Sequence, residues 1–179
     1  MSVKRMIVAI VALAVLPLSV AFGAGGVSWG EQYLLPEYPE LANYDTQARF
    51  TAVYGYSVAR GGMRNGGFAL GVHSPNEECS LDGGFIGAIS GQELRAGPFV
   101  IALNLWTGIG GVRRTFSASD GTFALFGQAD LELGFSLFPG MRVVGYGGMQ
   151  AVADVLAWHP VSTAVYYTPV AGIRLTWGR

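Results

Sequence analysis

The sequence predicts an all-β chain, an eight-stranded antiparallel up-and-down transmembrane β-barrel. Three observations lead there. Apolar residues alternate with small or polar ones at a period of two along most of the chain beyond residue 23. An apolar run near the N-terminus has the layout of an export signal. The alternating segments are long, and their apolar faces carry almost no charge, with no lysine after Lys4.

Residues 1–23 read as a signal peptide. Lys4 and Arg5 form a positive start, Ile7 to Leu16 an unbroken apolar run, and Ala21 and Gly23 the small residues before a cleavage point. The run is too short to span a bilayer comfortably as a helix. Residues 24–179 then form one barrel domain, with nine arginines against twelve acids, a net charge of −3. This balance argues against a nucleic-acid partner. One cysteine, Cys79, excludes a disulfide framework or a cysteine-based zinc site, and two histidines, His73 and His159, leave little for a metal centre. No cofactor is expected.

The strands follow in order. Residues 27–34 and 81–90 are weaker candidates. Residues 47–60 alternate Ala48, Phe50, Ala52, Tyr54, Tyr56 and Val58 with a face bearing Arg49. Residues 66–74 set Phe68, Leu70 and Val72 against glycine and His73. Residues 94–116 place Phe99, Ile101, Leu103 and Leu105 on one face, and Gly110-Gly111 reads as a bulge. Residues 122–138 carry Phe123, Leu125, Leu131, Leu133, Phe135 and Leu137 opposite Gln128, Asp130 and Glu132. Residues 141–157 carry Met141, Val143 and Met149 opposite Arg142, Tyr146, Gln150 and Asp154. Residues 162–177 carry Tyr167, Ile173, Leu175 and Trp177 opposite Arg174. Alternate connections are short, GGMRNG, SGQE and PG, as a closed meander requires. Parity asks for an odd loop at Pro139-Gly140, and a three-residue loop over 139–141 puts Asp130 opposite Gln150 and Glu132 opposite Gly148.

Spacing decides which face meets lipid. Tyr167 and Trp177 are ten residues apart, roughly 33 Å of strand, or about 25 Å along a tilted barrel's axis. Phe123 and Phe135 span a similar height. These four are expected as interfacial aromatics. The polar faces then line a narrow lumen, where charges must pair. The expected luminal network is Arg49, Asp130, Glu132, Arg142, Gln150, Asp154 and Arg174, with Arg174 clustered against Glu132 and Asp130.

The C-terminal run Tyr167, Gly172, Ile173, Leu175 and Trp177 resembles the assembly signal of bacterial outer-membrane barrels. With the signal peptide, strand count and length, the chain resembles the small eight-stranded outer-membrane barrels of the OmpA-domain and OmpX type. That resemblance implies outer-membrane localisation, membrane lipid and the outer-membrane assembly machinery as partners, and a monomer. It carries a structural, adhesive or envelope-maintenance role without enzyme activity.

Two alternatives share the pattern. One is a soluble periplasmic or secreted barrel holding an apolar ligand, its apolar face inward. The other is a lipid-modifying barrel enzyme, for which His159, Ser162 and upstream Asp154 are the only candidates. A histidine before Pro160 in a turn is a far commoner loop residue than a base. Glu77 and Glu78 beside Cys79 offer too few oxygens for calcium and read as a solvated loop.

Overall fold

A computed structural model describes residues 23–33, 47–73, 80–115, 119–156 and 165–178. Eight strands, β1 (Ala24–Tyr33), β2 (Gln47–Val58), β3 (Met63–His73), β4 (Ser80–Ala96), β5 (Phe99–Thr115), β6 (Ser119–Phe138), β7 (Met141–Leu156) and β8 (Val165–Gly178), close into one antiparallel barrel in sequence order. Each strand pairs with the next. The closing seam joins β1 to β8 from Ala24–Gly178 to Gln32–Val170.

The register sets the tilt. A ladder followed from Ala24 passes through Tyr56, Gly66, Ile89, Trp106, Gln128 and Gln150 to Thr168. Thr168 lies two residues beyond the level where Val170 meets Gln32 on β1. One circuit therefore climbs about ten residues along β1. At ~3.3 Å per residue and ~4.8 Å between strands, eight strands with that climb tilt by about 40°.

Three tight turns lie at the end of the barrel that holds Ala24 and Gly178. Gly61 and Gly62, Gly97 and Gly140 take positive φ there, at +84°, +84°, +60° and +88°, conformations that cost other residues dearly. Each turn is also tied to a neighbouring strand. Glu93 N–H donates to Gly62 C=O, Ser136 N–H to Pro98 C=O, and Gly178 N–H to Gly140 C=O, at 2.7–2.9 Å.

Several expectations are corrected. The turn expected at SGQE lies instead at Gly97-Pro98, so Gly91, Gln92 and Glu93 continue β4. Gly91 fits within a strand because Asn104 and Leu103 fill the space beside it. The turn in GGMRNG ends before Met63, so Arg64 is strand rather than turn. β5 runs through Gly110-Gly111 without a bulge, its pairing with β4 and β6 unbroken. Gly110 is explained by crowding, since a side chain there would strike the backbone at Gly84 and Phe85. At Pro139-Gly140 the turn has two residues, and a register shift between Ser136 and Phe138 supplies the odd residue that parity demands. Asp130 therefore faces Gly148 and Glu132 faces Tyr146, two residues from the expected register.

The outward faces of β5, β6 and β8 are apolar. Ile101, Leu103, Leu131, Leu133 and Ile173 are each about half exposed or more, while Asp130 and Arg174, their neighbours in sequence, are 1% exposed. On β2 and β3 the large apolar residues point inward instead. Phe50, Tyr54, Tyr56, Phe68 and Leu70 are buried, and Arg49 is exposed on the outer face. Arg49 is thus not luminal. The reason is space: Gly26 and Gly30 on β1 leave room that Tyr54 and Phe50 fill, and a Cβ on Gly26 would sit 2.6 Å from the Tyr54 hydroxyl. A cylinder of eight strands has room inside only for side chains, and here rings occupy much of it.

A candidate luminal polar network

The charged part of the lumen lies toward the turns. Arg64 and Arg142 are the second residues of β3 and β7, and Glu93 is four residues before the Gly97 turn. Asp130 and Glu132 enter from β6, and Arg174 from β8. All six are at most 5% exposed. Three arginines therefore face three carboxylates, and the buried cluster is neutral as a whole.

Arg174 grips two acids. Its Nη2 donates to Asp130 Oδ2 at 2.7 Å and its Nη1 to Asp130 Oδ1 at 2.9 Å, a two-pronged pairing, and Nη1 also reaches Glu132. The other oxygen of Glu132 accepts from Arg64 Nη1. Arg64 Nε donates to Glu93 Oε2 at 2.8 Å, and Arg142 Nη1 approaches the same oxygen at 3.4 Å. The second Glu93 oxygen accepts from Arg95, whose side chain is about half exposed at the rim. A continuous chain of charge thus runs from Asp130 through Arg174, Glu132, Arg64 and Glu93 to Arg142 and Arg95.

Neutral groups add further hydrogen bonds, although Arg174 Nε and Arg142 Nη2 are buried without one. Asn104 Nδ2 donates to Asp130 Oδ1 at 2.9 Å, while its Oδ1 accepts from Arg64 at 3.1 Å. Gln128 Nε2 donates to Asp130 Oδ2 at 2.7 Å. The guanidinium of Arg174 lies over Tyr146 and Trp106, 3.7 and 4.6 Å from the ring centroids, and Arg64 lies 4.6 Å over Tyr56. Tyr54 and Thr176 share a 2.7 Å hydroxyl contact, and Ser28 donates to the Tyr146 oxygen at 3.1 Å. Toward the opposite end the lumen is filled by rings. Phe68 meets Trp106 and Phe126 at 5.1 and 5.4 Å, and Phe126 meets Phe85 at 5.1 Å.

Of the residues expected in this network, the structure brings Asp130, Glu132, Arg142 and Arg174 together and buries Gln150 beside Gln128 across β6 and β7. Arg49 is outside. Asp154 stands opposite Ala124 in the ladder, and its side chain lies outside the described residues, as do His159, Ser162 and Cys79. The aromatics Phe123, Phe135 and Tyr167 are 41%, 44% and 61% exposed on the outer surface, and Trp177 is half-buried, paired across to Met141 at the turn end. Phe123 and Tyr167 stand toward the loop end, Phe135 and Trp177 toward the turns.

Arg64, Glu93, Asn104 and Gln128 were not in the expected set. The first two fell in segments read as turns. Their parity was informative: Arg64 shares its face with Phe68 and Leu70, and Glu93 shares its face with Phe85 and Ile89, all luminal.

Ions paired this way, and closed over by rings, can plug and stiffen a cylinder. The described residues hold no group of three or more His, Cys, Asp or Glu side chains placed to bind a metal.

No family model and no curated protein matches the sequence. Among solved structures, the chain is similar to Ail, the attachment invasion locus protein of Yersinia pestis. The TM-score is 0.53 at 11% identity, over 87% of this chain and 99% of that one. Ail in complex with the heparin analogue sucrose octasulfate gives 0.52 over the same shares. At this identity the likeness is one of fold: a small, eight-stranded, up-and-down barrel.

Proposed function

We propose that the chain is a monomeric integral outer-membrane barrel with a packed lumen, exported by way of residues 1–23 and inserted by the outer-membrane assembly machinery. Its role is adhesive or envelope-maintaining, without catalysis. One observation carries the membrane reading: Leu131, Leu133 and Ile173 stand out from the cylinder while Asp130, Glu132 and Arg174 are sealed within it. A soluble barrel built round an apolar ligand needs the reverse. Hydrocarbon accepts that outer face, and water does not.

The adhesive side of the reading draws on Ail, named for attachment and solved with a heparin analogue. Here the segments that join β1 to β2, β3 to β4, β5 to β6 and β7 to β8 in sequence would do that work. Detergent-free fractionation tests the membrane reading. The protein should stay with outer-membrane fragments and shift its gel mobility on boiling. Recovery in the soluble fraction would overturn it.

A further inference from the structure

The apolar surface is not equally tall around the cylinder. On β6 it extends outward from Phe123 to Leu137, fourteen residues apart. That is about 46 Å of strand and roughly 35 Å along the axis at a ~40° tilt. On β2 the outward positions are bounded by Arg49 and Ser57, eight residues apart and both exposed, or roughly 20 Å along the axis. β3 has the same limits, because His73 pairs with Arg49 and Asn65 pairs with Ser57. Between those limits the only branched aliphatic side chain is Val53, among Thr51, Gly55, Gly67, Ala69 and Gly71.

The upper limit is a line of ionisable groups. Arg49 pairs with His73, His73 with Asp82, and Asp82 with Arg113, on four successive strands. All four are on the outer face, Arg49, His73 and Arg113 exposed and Asp82 half-exposed, and His73 Nδ1 lies 2.5 Å from Asp82 Oδ1. An outer-membrane barrel normally carries an apolar band about 25 Å tall, and cations on the lipid face are tolerated only toward its edges. β6 exceeds that height, and β2 with β3 falls short of it.

We propose that the bilayer is thinned along β2 and β3, with phosphate-bearing headgroups drawn down onto Arg49 and His73. This rests on the membrane reading above. The guanidinium of Arg49 offers forked donors suited to a phosphate. Just beneath it a groove lined by Trp29, Thr51, Ala171 and Ile173 receives the first methylenes of that lipid's chain. The mismatch is absorbed by lipid on one flank, while the tall β6 flank holds the protein in the membrane.

Nitroxide labels read this directly. The ladder from Gly71 passes through Gly84 and Gly111 to Phe123. Three strands of tilt raise Phe123 by about 9 Å, and four residues further along β6, toward the turns, Gly127 returns to the height of Gly71. Gly71→Cys, Gly127→Cys and Ser57→Cys are labelled one at a time in a Cys79→Ser background, in vesicles of dioleoyl phosphatidylcholine and phosphatidylglycerol. Collision with a water-soluble nickel chelate is compared with collision with oxygen.

The labels at 71 and 57 should be several-fold more accessible to nickel than the label at 127. Adding Arg49→Leu and His73→Leu should bring 71 close to 127. Those outward substitutions should leave the heat-shifted gel band intact. Equal depth at 71 and 127 in the parent overturns the proposal. So does a label at 57 deep in hydrocarbon with 71 in the headgroups, which is rigid tilt. So does a label at 71 shielded from both reagents, which is a protein contact. Nickel access at all three positions would sink the membrane reading itself.

Discussion

Arg174 lies over Tyr146, its guanidinium carbon 3.7 Å from the ring centroid, while its two terminal nitrogens hold Asp130. The ring is in turn fixed by Ser28 on β1, and Gly172 beside it on β8 leaves the space it occupies. One arginine thus links four strands, β6 and β7 through its partners, β8 by its own backbone and β1 through Tyr146.

Arg174→Ala should cost about 3–5 kcal/mol, because sealed Asp130 loses its counter-charge and Glu132 loses one of its two arginines. Adding Glu132→Ala should cost much less than it does in the parent chain, a non-additivity of roughly 0.5–3 kcal/mol. Urea unfolding of the vesicle-inserted barrel measures both. Strict additivity would mean the two side chains act independently.

Glycines divide by what surrounds them. A Cβ at Gly172 would sit 2.7 Å from both Gly30 Cα and the Tyr146 hydroxyl, whereas one at Gly145 meets nothing within 4 Å. Gly172→Ala should lose about 1–3 kcal/mol through overpacking. Gly145→Ala should be neutral or slightly stabilising, since it lowers the entropy of the unfolded chain. Paired unfolding curves decide, and equal losses would contradict the crowding.

Trp106 is 2% exposed and touches Tyr54, Phe68 and the Arg174 guanidinium. Trp106→Ala should cost about 3–5 kcal/mol as a cavity opens between the ring layer and the ions. A midpoint of unfolding unchanged from the parent would show that the lumen collapses freely around the gap.

Leu131 lies near the middle of the β6 outer face and Leu137 at its turn end. Leu131→Arg should lose about 2–4 kcal/mol of insertion free energy, and Leu137→Arg no more than about 1. The folded fraction in vesicles across a urea series reads the difference. Equal tolerance at both positions would mean that β6 does not face hydrocarbon.

The strand count, closure and alternation were legible in the sequence because period two survives in almost every segment, most clearly from Phe123 to Phe138 and from Tyr167 to Trp177. What alternation cannot say is which parity faces in when both faces are mild. On β2 the tyrosines and phenylalanine looked like a lipid face and Arg49 like a luminal one. The choice is made by glycines on the neighbouring strand, at Gly26 and Gly30, which is a contact across the sheet rather than a pattern along it. Arg64 and Glu93 were hidden for another reason. Glycine-rich stretches beside them imitate turns, although Gly66 and Gly91 are there to admit Tyr56 and Asn104.

The Ala24–Gly178 seam makes the last strand the bolt on the first. A chain that lacks β8, Val165–Gly178, keeps the other strand pairings but has two raw sheet margins. Until β8 is made, no described residue can join those two margins. A barrel closed in sequence order cannot seal itself strand by strand, so the seven earlier strands must wait unsealed for β8.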